Sequence, residues 1–137
     1  MCYVIPLLFV LPRGLPPAAQ TADLKALQGE WVLVAESLNG SPIRPPRGSY
    51  TVTFNGTQST VRAGKEVTAR WQVSLDPTKG PKRMDETADG KSLAAIYRLD
   101  GDTLTVAFRN HWNDPRRPTD FEPRDGIGIY VLARKKP

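Results

Sequence analysis

The clearest structural signal in this chain is the stretch of residues 67–75, with the sequence Val67-Thr68-Ala69-Arg70-Trp71-Gln72-Val73-Ser74-Leu75. Apolar and polar residues alternate here with a period of two. Successive side chains of a β-strand point to opposite faces, so the pattern predicts a strand with one buried and one solvated face. We therefore expect Trp71 to be buried on the inward face of a β-sheet.

On either side of this strand, seven further segments have a similar alternation or apolar content. Short turns separate many of them, as at Asn39-Gly40 and Asn55-Gly56. Asn-Gly pairs favour tight hairpins, because both residues tolerate a positive φ. The eight predicted strands span residues 31–38, 50–54, 58–62, 67–75, 83–87, 93–99, 103–108 and 127–134, and residues 41–48 are expected to be a Pro-rich connection.

Eight short strands joined in this way predict an all-β fold, a single eight-stranded antiparallel barrel. Closure into a barrel removes the exposed sheet edges and leaves an interior that is filled by side chains or holds one small ligand. A two-sheet sandwich is the alternative, but it usually needs longer crossover connections. A short helix over residues 23–28, ended by Gly29, is predicted to precede the first strand.

The N-terminal segment, residues 1–22, is predicted to be a signal peptide, which leaves residues 23–137 as one domain. Its apolar run of ~11 residues is too short to span a bilayer but suits a signal-peptide core, and Ala18, Ala19 and Ala22 suit a cleavage site. The pattern lacks a basic residue before the run, and Pro6 interrupts it, so an unstructured native tail is the alternative. We expect export to the periplasm or the extracellular space, with no membrane span in the mature chain.

Charge and cysteine content exclude several classes of function. The formal net charge is +5, but basic residues are interleaved with acids, as at Lys65-Glu66, so a nucleic-acid partner is not expected. Cys2 is the only cysteine, so neither an internal disulfide nor a cysteine-based metal site can form. No cofactor or metal is expected, and no oligomeric state is predicted.

Several motifs are spread in order along residues 23–137. They are Asp23-Leu24-Lys25-Ala26-Leu27-Gln28-Gly29-Glu30-Trp31, Asp76-Pro77-Thr78-Lys79 with Pro81-Lys82, Ile96-Tyr97-Arg98-Leu99-Asp100-Gly101-Asp102-Thr103-Leu104, and Arg117-Pro118-Thr119-Asp120-Phe121. Together they resemble an uncharacterised family of small, exported domains that is abundant in planctomycete bacteria. The resemblance implies a lipocalin-like barrel and a location outside the cytoplasm, but no activity and no catalytic residues.

The triplet Gly29-Glu30-Trp31 also resembles the G-x-W opening of lipocalins, at the junction of a helix and the first strand. In lipocalins this tryptophan packs at the closed end of the barrel, with a basic residue of the last strand across it. The resemblance therefore implies that Gly29, Trp31 and Arg134 form a structural signature, with Arg134 in a cation–π contact with Trp31.

The segment of residues 83–87 departs from this resemblance, because family members tend to be apolar near position 86 and this chain has Glu86. We therefore expect a frayed edge strand. Glu86 also belongs to a loose acidic group with Asp85 and Asp89, which we interpret as a surface turn because its spacing lacks the regular ligand pattern of a calcium loop.

The loop of residues 109–126 is the candidate binding element, because its 18 residues far exceed the ~2–5 of ordinary hairpin loops. Arg109, His111, Trp112 and Arg117 place aromatic and guanidinium groups together, a combination that suits an anionic or sugar-like ligand. In the alternative interpretation, the loop's prolines stiffen it while Trp112 and Phe121 cover the barrel end. The motif at residues 117–121 favours this structural role.

The sequence leaves three functions open. The first is a barrel that binds a small amphipathic or anionic ligand, and the second is a protein-interaction module of the cell envelope. An enzyme of unidentified type is least favoured, since His111 is the only histidine and no nucleophile–base set accompanies it. An internal cavity discriminates between the first two, because a barrel filled by side chains has no room for a ligand.

Overall fold

The computed structural model describes the backbone of residues 18–43 and 50–136, and the side chains from residue 21 onward within these ranges. One helix precedes nine strands: α1 (Ala18–Leu27), β1 (Gly29–Leu38), β2 (Ser41–Ile43), β3 (Tyr50–Asn55), β4 (Gln58–Ala63), β5 (Glu66–Asp76), β6 (Lys82–Ala88), β7 (Lys91–Asp100), β8 (Thr103–Arg109) and β9 (Ile127–Arg134). Helix α1 begins at Ala18 rather than at Asp23 as predicted. Residues 1–17 of the predicted signal peptide lie outside the described residues.

The predicted eight-stranded antiparallel barrel is confirmed. Strands β1 and β3–β9 pair in sequence order, and β9 returns to pair with β1 and closes the sheet. The short strand β2 is an addition that the sequence did not predict: it pairs with the second half of β1 through a tight hairpin. Asn39 and Gly40 both adopt a positive φ (52° and 81°) in this turn, as the Asn-Gly signal requires.

One end of the barrel is filled by a packed core and sealed by α1. Leu27 of the helix and Trp31 of β1 are completely buried there. The Trp31 indole donates a hydrogen bond to the Leu27 carbonyl oxygen at 2.8 Å. Arg134 of β9 lies 4.3 Å from the Trp31 ring centroid and donates to the Gln28 carbonyl oxygen at 2.9 Å. The contact that the G-x-W resemblance implies is therefore present.

A second, smaller apolar cluster lies on the outer face of the barrel wall. It consists of Ile96, Ala107, Ile127 and Ile129, with Phe121 of the long β8–β9 loop packed against it. These strand residues alternate with inward-facing neighbours, so they face away from the interior. The part of the loop around Phe121 thus lies across the outside of strands β7, β8 and β9, so Phe121 does not cover the end of the barrel as the sequence suggested.

Strand β6 is a regular strand of the barrel, and the prediction of a frayed edge is wrong. It is paired along its whole length with β7 and over five residues with β5. Met84 is completely buried in the core. Because Glu86 lies two residues further along the same strand, it shares the inward face with Met84.

The helix of the described residues is neither long nor apolar enough to cross a bilayer.

Candidate functional site

Beyond the packed core, the barrel interior contains a cavity of about 500 Å³. Inward-facing side chains from most of the strands line it, and its wall is largely apolar. The apolar lining includes Leu33, Val52, Val61, Trp71, Leu93 and Phe108. The same alternation that fills one half of the barrel therefore produces a hollow in the other half, where the side chains do not meet.

Trp71 corrects one expectation about the core. It faces inward as predicted, but it lines the cavity and is only partly buried, in contrast to Trp31. Its ring stacks against Trp112 with centroids 5.4 Å apart and an interplanar angle of 23°. Trp112 is 51% exposed, and the Lys91 ammonium lies 5.1 Å from its ring centroid. The Trp71–Trp112 pair therefore joins the cavity wall to the surface.

The position of Phe108 in the cavity wall depends on Gly128, which lies opposite it in the β8–β9 register. A Cβ atom at position 128 would lie 2.4 Å from the Phe108 ring, far inside van der Waals contact. The absent side chain lets the ring lie close over the β9 backbone, with its centroid 5.8 Å from that of Tyr130. The absence of a side chain at Gly128 thus allows the Phe108 ring to occupy this position in the cavity wall.

The cavity holds an ionisable pair, Glu86 and Tyr130, in its largely apolar wall. Glu86 of β6 is only 7% exposed. The Tyr130 hydroxyl of β9 donates a hydrogen bond to its Oε1 at 3.0 Å, across the interior. Glu36 lies directly opposite Tyr130 in the β1–β9 register and also lines the cavity. Two carboxyl groups therefore face the same hollow. The expectation that Glu86 lies in a surface turn is wrong.

Burial governs the electrostatics of this pair. Removal from water disfavours a charged carboxylate, so burial raises the pKa of Glu86, partly offset by the hydrogen bond from Tyr130. Burial and the adjacent carboxyl group also raise the pKa of Tyr130. Tyr130 is the one hydrogen-bond partner of Glu86 among the described residues. A carboxylate has about four acceptor positions, so Glu86 retains acceptor capacity.

Arg117, a predicted ligand-binding residue, instead braces the loop against the outer wall. Its guanidinium group donates to the carbonyl oxygens of Ala95 at 2.7 Å and Met84 at 3.3 Å. It also forms an ion pair with Asp85 at 2.7 Å. These contacts occupy the guanidinium group with strands β6 and β7, so they match the structural interpretation of the loop.

The other three predicted binding residues lie near one another but outside the lining of the large cavity. Arg109, His111 and Trp112 border a separate hollow of about 130 Å³, which Leu93 and Phe108 also line. The Arg109 Nε is buried and has no hydrogen-bond partner within the described ranges. His111 is exposed. The loop therefore brings these three together beside the cavity wall, while Arg117 lies elsewhere.

Sequence reasoning missed the polar groups that face the cavity, above all Glu86 and Tyr130. The signal was present in the alternation of β6, because a residue two positions from a buried Met84 must face inward. The acidic neighbours of Glu86 outweighed that signal, since a run of charges is usually a solvated surface.

The described part of the chain contains no group of three or more His, Cys, Asp or Glu residues close enough to hold a metal ion.

Comparison of the chain with protein-family models, with curated proteins and with solved structures found no match.

Proposed function

We propose that this protein is a binding barrel that holds one small, largely apolar molecule in its interior cavity. The observation that carries the proposal is the cavity of about 500 Å³. This volume falls within the ~300–1,000 Å³ typical of small-molecule sites. Such sites are mostly apolar, with a few polar groups that orient the ligand. An interior of this kind supports ligand binding over a module that acts only through its outer surface.

The distribution of charge favours an amphipathic ligand over an anionic one. Among the described residues that line the cavity, the charged types are the two acids Glu36 and Glu86. Arg117 is directed to the outer wall, where backbone carbonyl oxygens and Asp85 occupy it. An anion inside the cavity would meet carboxyl groups, so the proposed ligand has an apolar body and a polar group that is not an anion.

The experiment that tests this proposal measures binding of the neutral apolar dye N-phenyl-1-naphthylamine, whose emission rises and shifts to the blue in an apolar site. We expect saturable binding of one dye per barrel. In Val61→Phe, the larger side chain enters the cavity, and the affinity should fall about tenfold or more, the equivalent of ~1.4 kcal/mol. Thr60→Phe is the matched control, because Thr60 is the neighbouring residue on the outward face of β4.

Two results would contradict the proposal. The first is dye emission that does not saturate, or that saturates only in unfolded protein. The second is an equal loss of affinity in Val61→Phe and Thr60→Phe, which would place the dye outside the cavity. In either case the envelope interaction module becomes the better hypothesis.

We also propose that the barrel acts outside the cytoplasm, and that the planctomycete resemblance reflects common ancestry. The apolar run of residues 1–11 supports export. A chain that begins at Asp23 would retain the side chain that accepts hydrogen bonds from Tyr97 at 2.6 Å and Lys82 at 2.9 Å. N-terminal sequencing of protein from its native cell should therefore start between Ala19 and Asp23. An intact Met1 in a cytoplasmic fraction would contradict export.

A further inference from the structure

We infer that the ligand of the barrel carries a basic amine, and that the buried carboxyl group of Glu86 recognises it. The inference rests on the proposed function and adds the chemical class of the ligand to it. Its basis is geometric: a carboxyl group that is 7% exposed lines a cavity with space for a partner. An apolar residue at position 86 would fill the same place in β6 without the cost of burying a charged group.

The polar contacts of Glu86 leave room for such a partner. The Tyr130 hydroxyl donates to Oε1 at 3.0 Å, and the described residues provide no further hydrogen bond to the carboxyl group. Its register neighbours on the two adjacent strands are Val73 and Leu93, which have no polar side-chain atoms. The unused acceptor positions of Glu86 are therefore beside apolar neighbours, and few described side chains can donate to them in place of a ligand.

The charges around the cavity favour a cationic donor. The ionisable side chains that line it with Glu86 are Glu36 from β1, Tyr50 from β3 and Tyr130 from β9. Within the described residues, no Lys, Arg or His lines it. Among the described lining residues, an ammonium group entering the cavity thus meets two carboxyl groups and two hydroxyl groups and no cationic side chain. An anion in the same place has no partner of opposite charge among these residues.

Amine binding also offsets the desolvation penalty that burial imposes on the ionised Glu86 carboxylate. An opposite charge within ~4–6 Å favours the ionised form of a carboxyl group, whereas burial alone disfavours it. The ammonium ion and the carboxylate would then share a charge-assisted hydrogen bond, which is roughly twice as strong as a neutral one. An alcohol of the same size can donate a hydrogen bond but cannot balance the charge, so it should bind more weakly.

Three ligands with the same alkyl chain and different polar groups test the inference: decylamine, decanol and decanoate. Each is titrated as a competitor of N-phenyl-1-naphthylamine on the wild-type barrel at near-neutral pH, where alkylamines are protonated. We expect decylamine to compete at a concentration at least about tenfold lower than decanol, in line with a charge-assisted contact. Decanoate should be the weakest competitor, because its carboxylate meets the two carboxyl groups of the wall.

Glu86→Gln separates recognition from simple apolar binding. The substitution keeps the size of the side chain and an oxygen that accepts from Tyr130, but it removes the titratable group. We expect decylamine to fall to the level of decanol, while the affinity for decanol stays within about twofold of wild type. Unchanged decanol binding shows that the variant retains its fold and its cavity. Glu36→Gln is the comparison variant, and it should retain a preference for the amine.

The outcomes distinguish the two proposals. If the dye fails to bind, the proposed function fails and the inference fails with it. If the dye binds but none of the three ligands displaces it, the amine inference is overturned. If decylamine and decanol compete equally, the binding barrel stands and the amine inference is overturned. A preference for decanoate would also overturn it. A preference for the amine that survives Glu86→Gln but disappears in Glu36→Gln would refute the assignment to Glu86.

Discussion

Replacing the two interior tryptophans with alanine, one at a time, tests whether the barrel is packed at one end and hollow further along. Trp31 is completely buried, donates a hydrogen bond to the Leu27 carbonyl oxygen and lies under the Arg134 guanidinium group. Trp71 is partly buried, lines the cavity and stacks on Trp112. Both side chains face inward, so a uniformly packed barrel would predict similar losses of stability.

The expected magnitudes differ because the two side chains lose different contacts. Deleting a core tryptophan costs ~3–5 kcal/mol, and the lost cation–π contact with Arg134 adds ~0.5–2 kcal/mol. We expect Trp31→Ala to lower the free energy of unfolding by about 4–6 kcal/mol in total. Trp71→Ala only enlarges an existing hollow and loses a stacking contact worth ~0.5–1.5 kcal/mol. Its total loss should be about 1–2 kcal/mol.

Urea denaturation followed by far-ultraviolet circular dichroism measures both losses without relying on tryptophan emission. For a small domain the slope is ~1–3 kcal/mol per molar urea, so Trp31→Ala should lower the midpoint by about 2 M and Trp71→Ala by about 1 M or less. If Trp31→Ala does not fold, Trp31→Phe is the milder variant: it retains an aromatic ring but loses the indole hydrogen bond, at ~1–3 kcal/mol, together with part of the buried volume. Equal losses for Trp31→Ala and Trp71→Ala would refute the hollow interior.

Three further predictions follow from individual contacts. Burial raises the pKa of Glu86 in the native state above its unfolded value of 4.5. The protonated Glu86 side chain therefore contributes its full stabilisation below pH 4.5, and this stabilisation is lost as the pH rises through the native pKa. The free energy of unfolding of Glu86→Gln, relative to wild type, should therefore increase from acidic to alkaline pH, and a constant difference in urea titrations would contradict this. Arg117→Ala should cost ~1–3 kcal/mol in the same assay without changing dye affinity, whereas Arg116→Ala, at an exposed ion pair with Asp114, should have a smaller effect. Gly128→Ala should displace Phe108 and lower dye affinity, and unchanged binding would show that the ring does not shape the cavity.

The sequence predicted much of the barrel because the relevant signals are local. The alternation of residues 67–75 places Trp71 and Leu75 on one face whatever the neighbouring strands do. The Asn39-Gly40 turn follows from the φ angles that these two residues tolerate, and the structure confirms both of those angles. The short strand β2 was missed, because the three residues that follow this turn have little alternation of their own.

The candidate site could not be predicted in the same way, because it depends on distances between residues far apart in the chain. The clustering of arginine and aromatic residues in residues 109–126 is a real property of the sequence, but it does not reveal on which side of the wall the loop lies. The contacts of Arg117 with the backbone of β6 and β7 place that residue outside. The sequence therefore offered a structural role for the loop, but it did not show that Arg117 and Phe121 lie on the outer wall.

The number and order of the barrel strands, and the inward face of each strong strand, could be read from the amino-acid sequence alone. These features depend on side-chain periodicity and turn chemistry within a few residues. Tertiary structure is needed to show that Glu86 and Tyr130 meet across the interior and that a cavity of about 500 Å³ lies beyond the packed core. The two-residue alternation along a strand predicts which side chains point inward, whereas barrel closure and strand register determine whether these side chains touch. The space that remains where they do not touch is the site on which our proposals for this protein rest.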